Sequence, residues 1–381
     1  MATRGALSVV LVTHYFPAHR GGVERVAGQL AQRLAAAGVA RIDWHASDCD
    51  PAPGPAAGLR PVPASSWNVT ERRLGFPWPL WSPAALWRLA RACRAADLVH
   101  IHDCLYLPNL VAFAAARRAV LVTQHVGAVP YRNPLLAWLQ RMANRVLGGW
   151  VLGRAQRVVF ESETVRRYFQ GFVRFRAAPL LVENGVDTEI FSPVGAGERR
   201  ALRRRLGVPA EAPLLLFIGR FVEKKGLAVL EQLTARLPRA HWVFAGWGPL
   251  DPGAWQRPNV TVLHKVESGD LPSLYRAADL LVLPSAGEGM PLSIQEAMAC
   301  GTPALVGAET AAGCPEAGEL LPREAVGSPD TVERWAARLE AMLARPESLE
   351  SMRTPVAEFA RRQWSWEQCV ARYRAVFSEL H

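Results

Sequence analysis

The sequence predicts an α/β chain built from two doubly wound parallel sheets with a cleft between them. Three observations predict it. Short, almost wholly apolar runs recur along the chain, each followed by apolar residues at helical spacing, the pattern of strands covered on both faces and joined by helices. Glycine-bearing loops stand where those strands end, as at Tyr15 to Gly22, Gly219 to Gly226 and Gly246 to Pro249. A length of 381 residues, 50% of them apolar, exceeds one ordinary core and suffices for two.

Composition narrows the partners. Lys and Arg number 44 against 34 Asp and Glu, a formal charge of +10 that favours an anionic partner. The arginines stand beside tryptophans and leucines on helical segments and no nucleic-acid module signature appears, so nucleic acid is not the expected partner. Six scattered cysteines, with no C-x-x-C pair and no metal spacing, fit a reducing compartment. The first apolar run reaches His14 too soon for a signal sequence, and no run approaches the roughly 18 apolar residues that span a bilayer. The expectation is a cytoplasmic protein, soluble or peripheral on the inner face of the cytoplasmic membrane.

Leu7 to Val12 reads as a buried first strand, followed by a loop to Gly21 and Gly22 and a helix carrying Val23, Val26, Ala27, Leu30, Ala31 and Leu34. Paired glycines let a backbone approach a phosphate or sugar closely, and the helix N-terminus adds a favourable partial charge. Pro51 to Pro63, rich in Pro, Ala and Gly, reads as a loop. Asp48-Cys49-Asp50 has a D-x-D outline without a supporting ligand and is not expected to bind metal. Ser82 and Pro83 start a helix with Leu86, Leu89, Ala90 and Cys93 inward and Trp87 outward among Arg88, Arg91 and Arg94. In a second such segment, after Asn133-Pro134, Leu135, Leu139, Met142 and Val146 align beside Trp138, Arg141 and Arg145. Both fit an anionic membrane surface, and equally ordinary domain helices with snorkelling arginines. Asp97 to His102, Val120 to Thr123 and Val158 to Glu161 are further strands, and His125 follows the second of them at the edge where open α/β sheets bind ligands. His14, His100 and His102 remain structural or acceptor-side candidates.

In the second half, Arg199 to Arg205 reads as a solvated basic helix and Leu214 to Ile218 as a strand. Arg220 and Lys225, on the loop behind that strand, can grip one diphosphate, the first as a planar fork and the second as a point charge. Trp242 to Ala245 and Val260 to Val266 are strands, and Leu271 to Ala278 is a helix. The strand Asp279 to Ser285 then leads through Glu288-Gly289-Met290-Pro291 into a helix from Leu292 to Ala299. The N–H groups of Leu292 and Ser293 form an anion site, bracketed by Glu288 in the loop and Glu296 one turn into the helix. A helix at Val332 to Leu343 follows, and Trp364-Ser365-Trp366-Glu367 leads into a last one through Leu380.

The stretch Glu288 to Gly301 (EGMPLSIQEAMACG) resembles the acid-x7-acid signature of retaining GT-B glycosyltransferases, specifically glycosyltransferase family 4. Gly219-Arg220 to Lys225-Gly226 matches that family's GR-x4-KG spacing, Gly246-Trp247-Gly248-Pro249 its G-x-GP turn, Asn184 to Asp187 its NGVD turn, and Gly21-Gly22 its first glycine loop. Departures are Ser162 one place later than the usual serine, behind Glu161, and a missing GG-x-x-E beyond Val306. The resemblance implies two Rossmann-like domains, residues 1–192 on the acceptor side with a returning helix at 365–381, and residues 193–364 binding the donor. It implies transfer of a hexose from a UDP-, GDP- or ADP-sugar, with retention and without a metal, to a glycan or polyprenyl-linked acceptor in surface polysaccharide or glycolipid assembly. Two alternatives remain open, a small soluble acceptor and a silent membrane-associated scaffold. Arg220 and Lys225 would hold the diphosphate, Glu288 and His125 the sugar, Glu296 the ribose, Lys265 and Val266 the base. Gly21, Gly22, Gly246, Gly248, Gly289, Met290, Pro291, Leu292 and Ser293 would contribute loop and backbone contacts.

Overall fold

A strand covered on both faces must be apolar along its length, and Leu214–Ile218 (LLLFI) and Leu280–Leu283 (LLVL) are. In the computed structural model they pair in parallel at the middle of one of two large sheets. The structure describes residues 7–19, 21–74, 78–128, 133–209, 212–267, 269–286 and 289–381. It divides into two compact units, Met1–Gly185 with Glu367–His381, and Val186–Trp366.

The first unit carries a seven-stranded sheet. Its strands are β1 (Leu7–Val12), β2 (Ala40–Ser47), β3 (Leu59–Ala64), β4 (Leu98–His102), β5 (Ala119–Gln124), β6 (Arg157–Phe160) and β7 (Leu180–Leu181), in the order β3-β2-β1-β4-β5-β6-β7. All neighbours run parallel, so strand order reverses between β1 and β4, where such sheets place ligands. Val10, Val12, Ile101, Val122 and Phe160 project into a core closed by Leu89, Cys93 and Phe169 from flanking helices. The helix Trp366–Leu380 belongs to this unit: Tyr373 Oη lies 2.9 Å from Thr123 Oγ1, Arg372 pairs with Glu183 at 2.6 Å, and Arg157 pairs with Glu379.

The second unit carries β8 (Leu214–Ile218), β9 (His241–Ala245), β10 (Val260–Leu263), β11 (Leu280–Leu283), β12 (Ala304–Gly307) and β13 (Arg323–Glu324), ordered β10-β9-β8-β11-β12-β13 and again parallel. Its switch point lies between β8 and β11. Phe217, Leu281, Leu305, Met298 and Trp335 are buried in one continuous core.

Three expectations need correction. Residues 59–64 of the expected loop form β3, which tolerates Pro61 and Pro63 because it is the outermost strand and pairs only with β2. The strand expected to reach Val266 stops at Leu263, and His264 to Val266 turn away from the ladder. The basic helix does not simply face water. Arg203 is buried, with Nε donating to the Ala277 carbonyl at 2.9 Å, and both Arg199 and Arg203 pair with Asp279. Sequence spacing did not connect these arginines to a carboxylate about 80 residues away.

Candidate active site

In the second unit the loops behind β8 and β9 are packed backbone to backbone. Gly219 N donates to the Ala245 carbonyl (3.0 Å), Phe221 N to Trp247 (2.7 Å) and Leu250 N to Phe221 (3.0 Å). Such proximity leaves no room for side chains: a Cβ on Gly246 would lie 1.9 Å from the Gly219 oxygen, and one on Gly248 would lie 2.4 Å from the Phe221 oxygen. The Arg220 guanidinium, thereby fixed at the mouth of β8, sits over the exposed Trp247 ring at 4.9 Å, a cation–π contact that limits its wandering. Lys225 closes a short 3-10 turn, and its stem lies over Gly219, 3.6 Å from where a Cβ would be. Ala286 N donates to the Lys224 carbonyl at 2.9 Å, so this cationic loop is tied to the segment that leaves β11. Both loops of the switch point thus meet.

The helix Leu292–Ala299 begins behind Pro291 with no side-chain cap, leaving its first amides, Leu292 and Ser293 among them, without that kind of partner. Met290 is buried and Gly289 half-exposed beside it, whereas Glu288 lies outside the described residues. Glu296 is 6% exposed, and its Oε2 accepts from the Tyr275 hydroxyl at 2.8 Å. That carboxylate is therefore anchored from the core side by Tyr275, a partner 21 residues away that sequence spacing did not signal. Lys265 and Val266, past β10, line a pocket of about 390 Å³ together with Leu202, Leu206, Asp270 and Ser273.

The first unit gathers a second constellation. Gly21 precedes the helix Gly22–Ala36 in extended conformation, and a Cβ on it would lie 2.0 Å from Glu24 Oε2. The Glu24 carboxylate therefore already meets the positive end of this helix, which disfavours a phosphate there and leaves a hydroxyl acceptable. Around Gly22 a Cβ would meet nothing within 4 Å. The ring of His125 is 6% exposed, with Nδ1 2.6 Å from Glu161 Oε2 and Nε2 2.8 Å from His102 Nδ1. Asp103, in left-handed backbone at φ 63°, accepts through Oδ1 from Gln124 Nε2 (2.9 Å), His125 N (2.9 Å) and Val126 N (3.1 Å), pinning the loop that carries His125. Asp103 and Glu161 were not singled out as site residues. Their sequence signal was their place at the ends of the two strands that flank β5. Asp50 and Glu71 hold His19 from either side, at 2.8 and 3.3 Å, and Asp48 accepts from Ser66, so both acids of the D-x-D outline are engaged within the fold.

Electrostatics separate these histidines. Burial alone would drive the proton off His125, but Glu161, Asp103 and Glu24 outweigh it and raise the imidazolium to about 9. Burial, aided by that charge, lowers His100 to about 3 and keeps His14 and His102 neutral. A histidine raised when folded contributes stability that is complete below the usual value of 6.5 and is lost as pH climbs through about 9. The melting temperature is expected to fall between about pH 7 and about pH 9.5, less so in His125→Asn. Loss of net positive charge toward a pI near 9.8 acts in the opposite direction in both proteins, so the same pH profile in the wild type and in His125→Asn would remove this assignment.

Comparison with known proteins agrees with the geometry. A family model described as Glycosyl transferases group 1 matches residues 198–358, and one described as Glycosyltransferase Family 4 matches residues 20–190. The D-inositol 3-phosphate glycosyltransferase of Salinispora arenicola is 30% identical over 97% of this chain and 91% of its own length. Among solved structures, sucrose-phosphate synthase from Thermosynechococcus elongatus superposes with a TM-score of 0.78 at 20% identity, covering 98% of this chain and 99% of that one. HepE from Anabaena, solved in complex with UDP-glucose, gives 0.76 at 16% identity over 98% of this chain and all of that one (100%). Two parallel α/β sheets, the cationic loop at the second switch point and these matches lead to one conclusion: the chain belongs to glycosyltransferase family 4 and is a glycosyltransferase of the GT-B fold.

Proposed function

We propose that this glycosyltransferase moves a hexose, with retention and without a metal, from a nucleoside diphosphate donor to a glycan or lipid-linked acceptor in surface polysaccharide or glycolipid assembly. The observation that carries the reading is the Arg220–Lys225 loop, tied to the β11 loop at the switch point ahead of an uncapped helix. Two fixed cations and aligned amides offset a diphosphate and stabilise the charge that builds on it as the sugar leaves, the role a metal takes elsewhere. The UDP-glucose complex of HepE, on the same fold, supports a nucleotide-sugar donor. Glu296 takes the ribose, Lys265 and Val266 the base, Glu288 the transferred sugar, and His125 serves the sugar from the first unit. The acceptor hydroxyl attacks from the face the phosphate leaves and passes its proton to that phosphate, so no side-chain nucleophile is assigned.

A membrane setting is supported by unburied apolar faces in the first unit. In the helix Pro134–Ala143 no residue is buried, and Leu135, Leu139 and Met142 stay exposed along with Val146 beyond it. In the helix Pro83–Ala95, Leu89 and Cys93 turn inward while Trp87 is exposed with Arg91 over its ring at 5.9 Å. Aromatic rings flanked by arginines suit an anionic interface. No described helix is long and apolar enough to cross a membrane. A second reading, transfer to a small phosphorylated polyol, is supported by the named activity of the Salinispora relative. Thermal shift with UDP-, GDP- and ADP-sugars, followed by the anomeric configuration of the product and its yield with chelator, tests the proposal. No shift with any donor, an inverted product, or activity abolished by chelator would each remove a named part of it.

A further inference from the structure

We infer that Glu161 is a positioning residue for the transfer reaction: with His102 and Asp103 it fixes the His125 ring in one orientation, holding a carboxylate against Nδ1. This rests on the role given to His125 in the proposed transfer. The geometry follows from sheet register. β4, β5 and β6 are consecutive parallel neighbours, with His102 opposite Thr123 and Gln124 opposite Phe160. Each strand therefore delivers its next residues, Asp103, His125 and Glu161, to one spot at the carboxyl edge.

Each contact fixes a different part of His125. Asp103 takes the backbone N–H at 2.9 Å, Glu161 takes Nδ1 at 2.6 Å, and His102 Nδ1 faces Nε2 at 2.8 Å. In the Nδ1–Oε2 contact the ring N–H donates and the carboxyl oxygen accepts. His102, buried against His100 and His125, is the neutral member of the histidine pair, so the proton between them belongs to His125. Among the titratable neighbours Glu161 supplies the largest counter-charge. His14 past β1 is neutral, and Cys369 and Tyr373 of the closing helix, which face Glu161, are pushed up by burial and stay protonated. Glu24 on the first helix and Asp103 add to it, but the burial of each favours its own neutral form, so they rank behind Glu161. With both ring nitrogens engaged, His125 acts on a sugar first through its charge, and a hydroxyl reaches Nε2 only by displacing His102.

The test separates this role from a merely structural ion pair. Full-length protein labelled with ¹⁵N-histidine is titrated by long-range proton–nitrogen NMR, the His125 signals being assigned from His125→Asn. In the wild type the ring should stay doubly protonated to about 9, whereas in Glu161→Gln it should lose a proton at distinctly lower pH. Release of UDP from UDP-glucose, the probe donor, should follow: kcat/KM of Glu161→Gln should fall about tenfold per pH unit above its own midpoint and recover in acid. A neutral His125 ring at neutral pH in the wild type, or the same midpoint in both proteins, overturns the inference. Should wild-type protein release no UDP under any condition, the donor reading fails with this probe while the NMR arm still decides the charge state. Should Glu161→Gln not melt cooperatively, Glu161→Ala replaces it: a lowered midpoint supports the inference and an unchanged one overturns it.

Discussion

Alanine in place of Arg220 is expected to lower kcat by about 10²–10³, equivalent to ~2.7–4 kcal/mol of transition-state stabilisation, the order found when one charge-stabilising donor is removed. The side chain is exposed and lies over the Trp247 face, so the folded state should scarcely change. Lys225→Ala should behave similarly; Lys225→Arg keeps the charge and should lose less, yet not nothing, because a planar fork on a 3-10 turn does not reproduce a point charge. The measurement is single-turnover transfer at saturating donor, with melting temperature in parallel. Unchanged turnover in both alanine variants would dismiss the cationic grip, and a large loss of melting temperature would reassign both residues to structure.

Gly246→Ala should produce the larger structural effect. Its added methyl would stand 1.9 Å from the Gly219 oxygen and 3.1 Å from the Phe221 ring, where neither neighbour can yield without opening the β8 loop. A cost of about 3 kcal/mol is expected from such overpacking, seen as a fall of roughly 6–12 °C in melting temperature. Because the displaced backbone carries Arg220, donor affinity should fall with it. Gly22→Ala is the control, since nothing lies within 4 Å of its added methyl. Equal stability for both variants would show that the packed loops can relax.

How far the sequence revealed all this depends on the range of each interaction. Strands buried on both faces, such as Leu280–Leu283, announce themselves because every residue must be apolar. The Arg220–Lys225 spacing was legible for the same reason, being contained within one loop. Partners assembled by topology were not. Tyr275 beneath Glu296, Asp103 and Glu161 around His125, and Asp279 beside Arg199 and Arg203 are brought together only once strand order is known. Sequence reasoning also assigned nothing to the helix Pro346–Trp364, where Pro355 ordinarily ends a helix. Packing overrides it: Val356, Phe359, Ala360 and Trp364 recur at helical spacing and are buried, against the helix Leu292–Ala299 among others.

The prolines of β3 carry a consequence for association. Backbone groups of alternate residues point to opposite sides of a strand, and the Gly58 and Ala64 carbonyls accept from Ile42 N in β2 and from Asp48 N just past it. Pro61 and Pro63 therefore turn their nitrogens outward, where two amide donors are missing in succession. An extended segment from another molecule finds carbonyls there but no matching N–H groups, so intermolecular strand addition is blocked on that border.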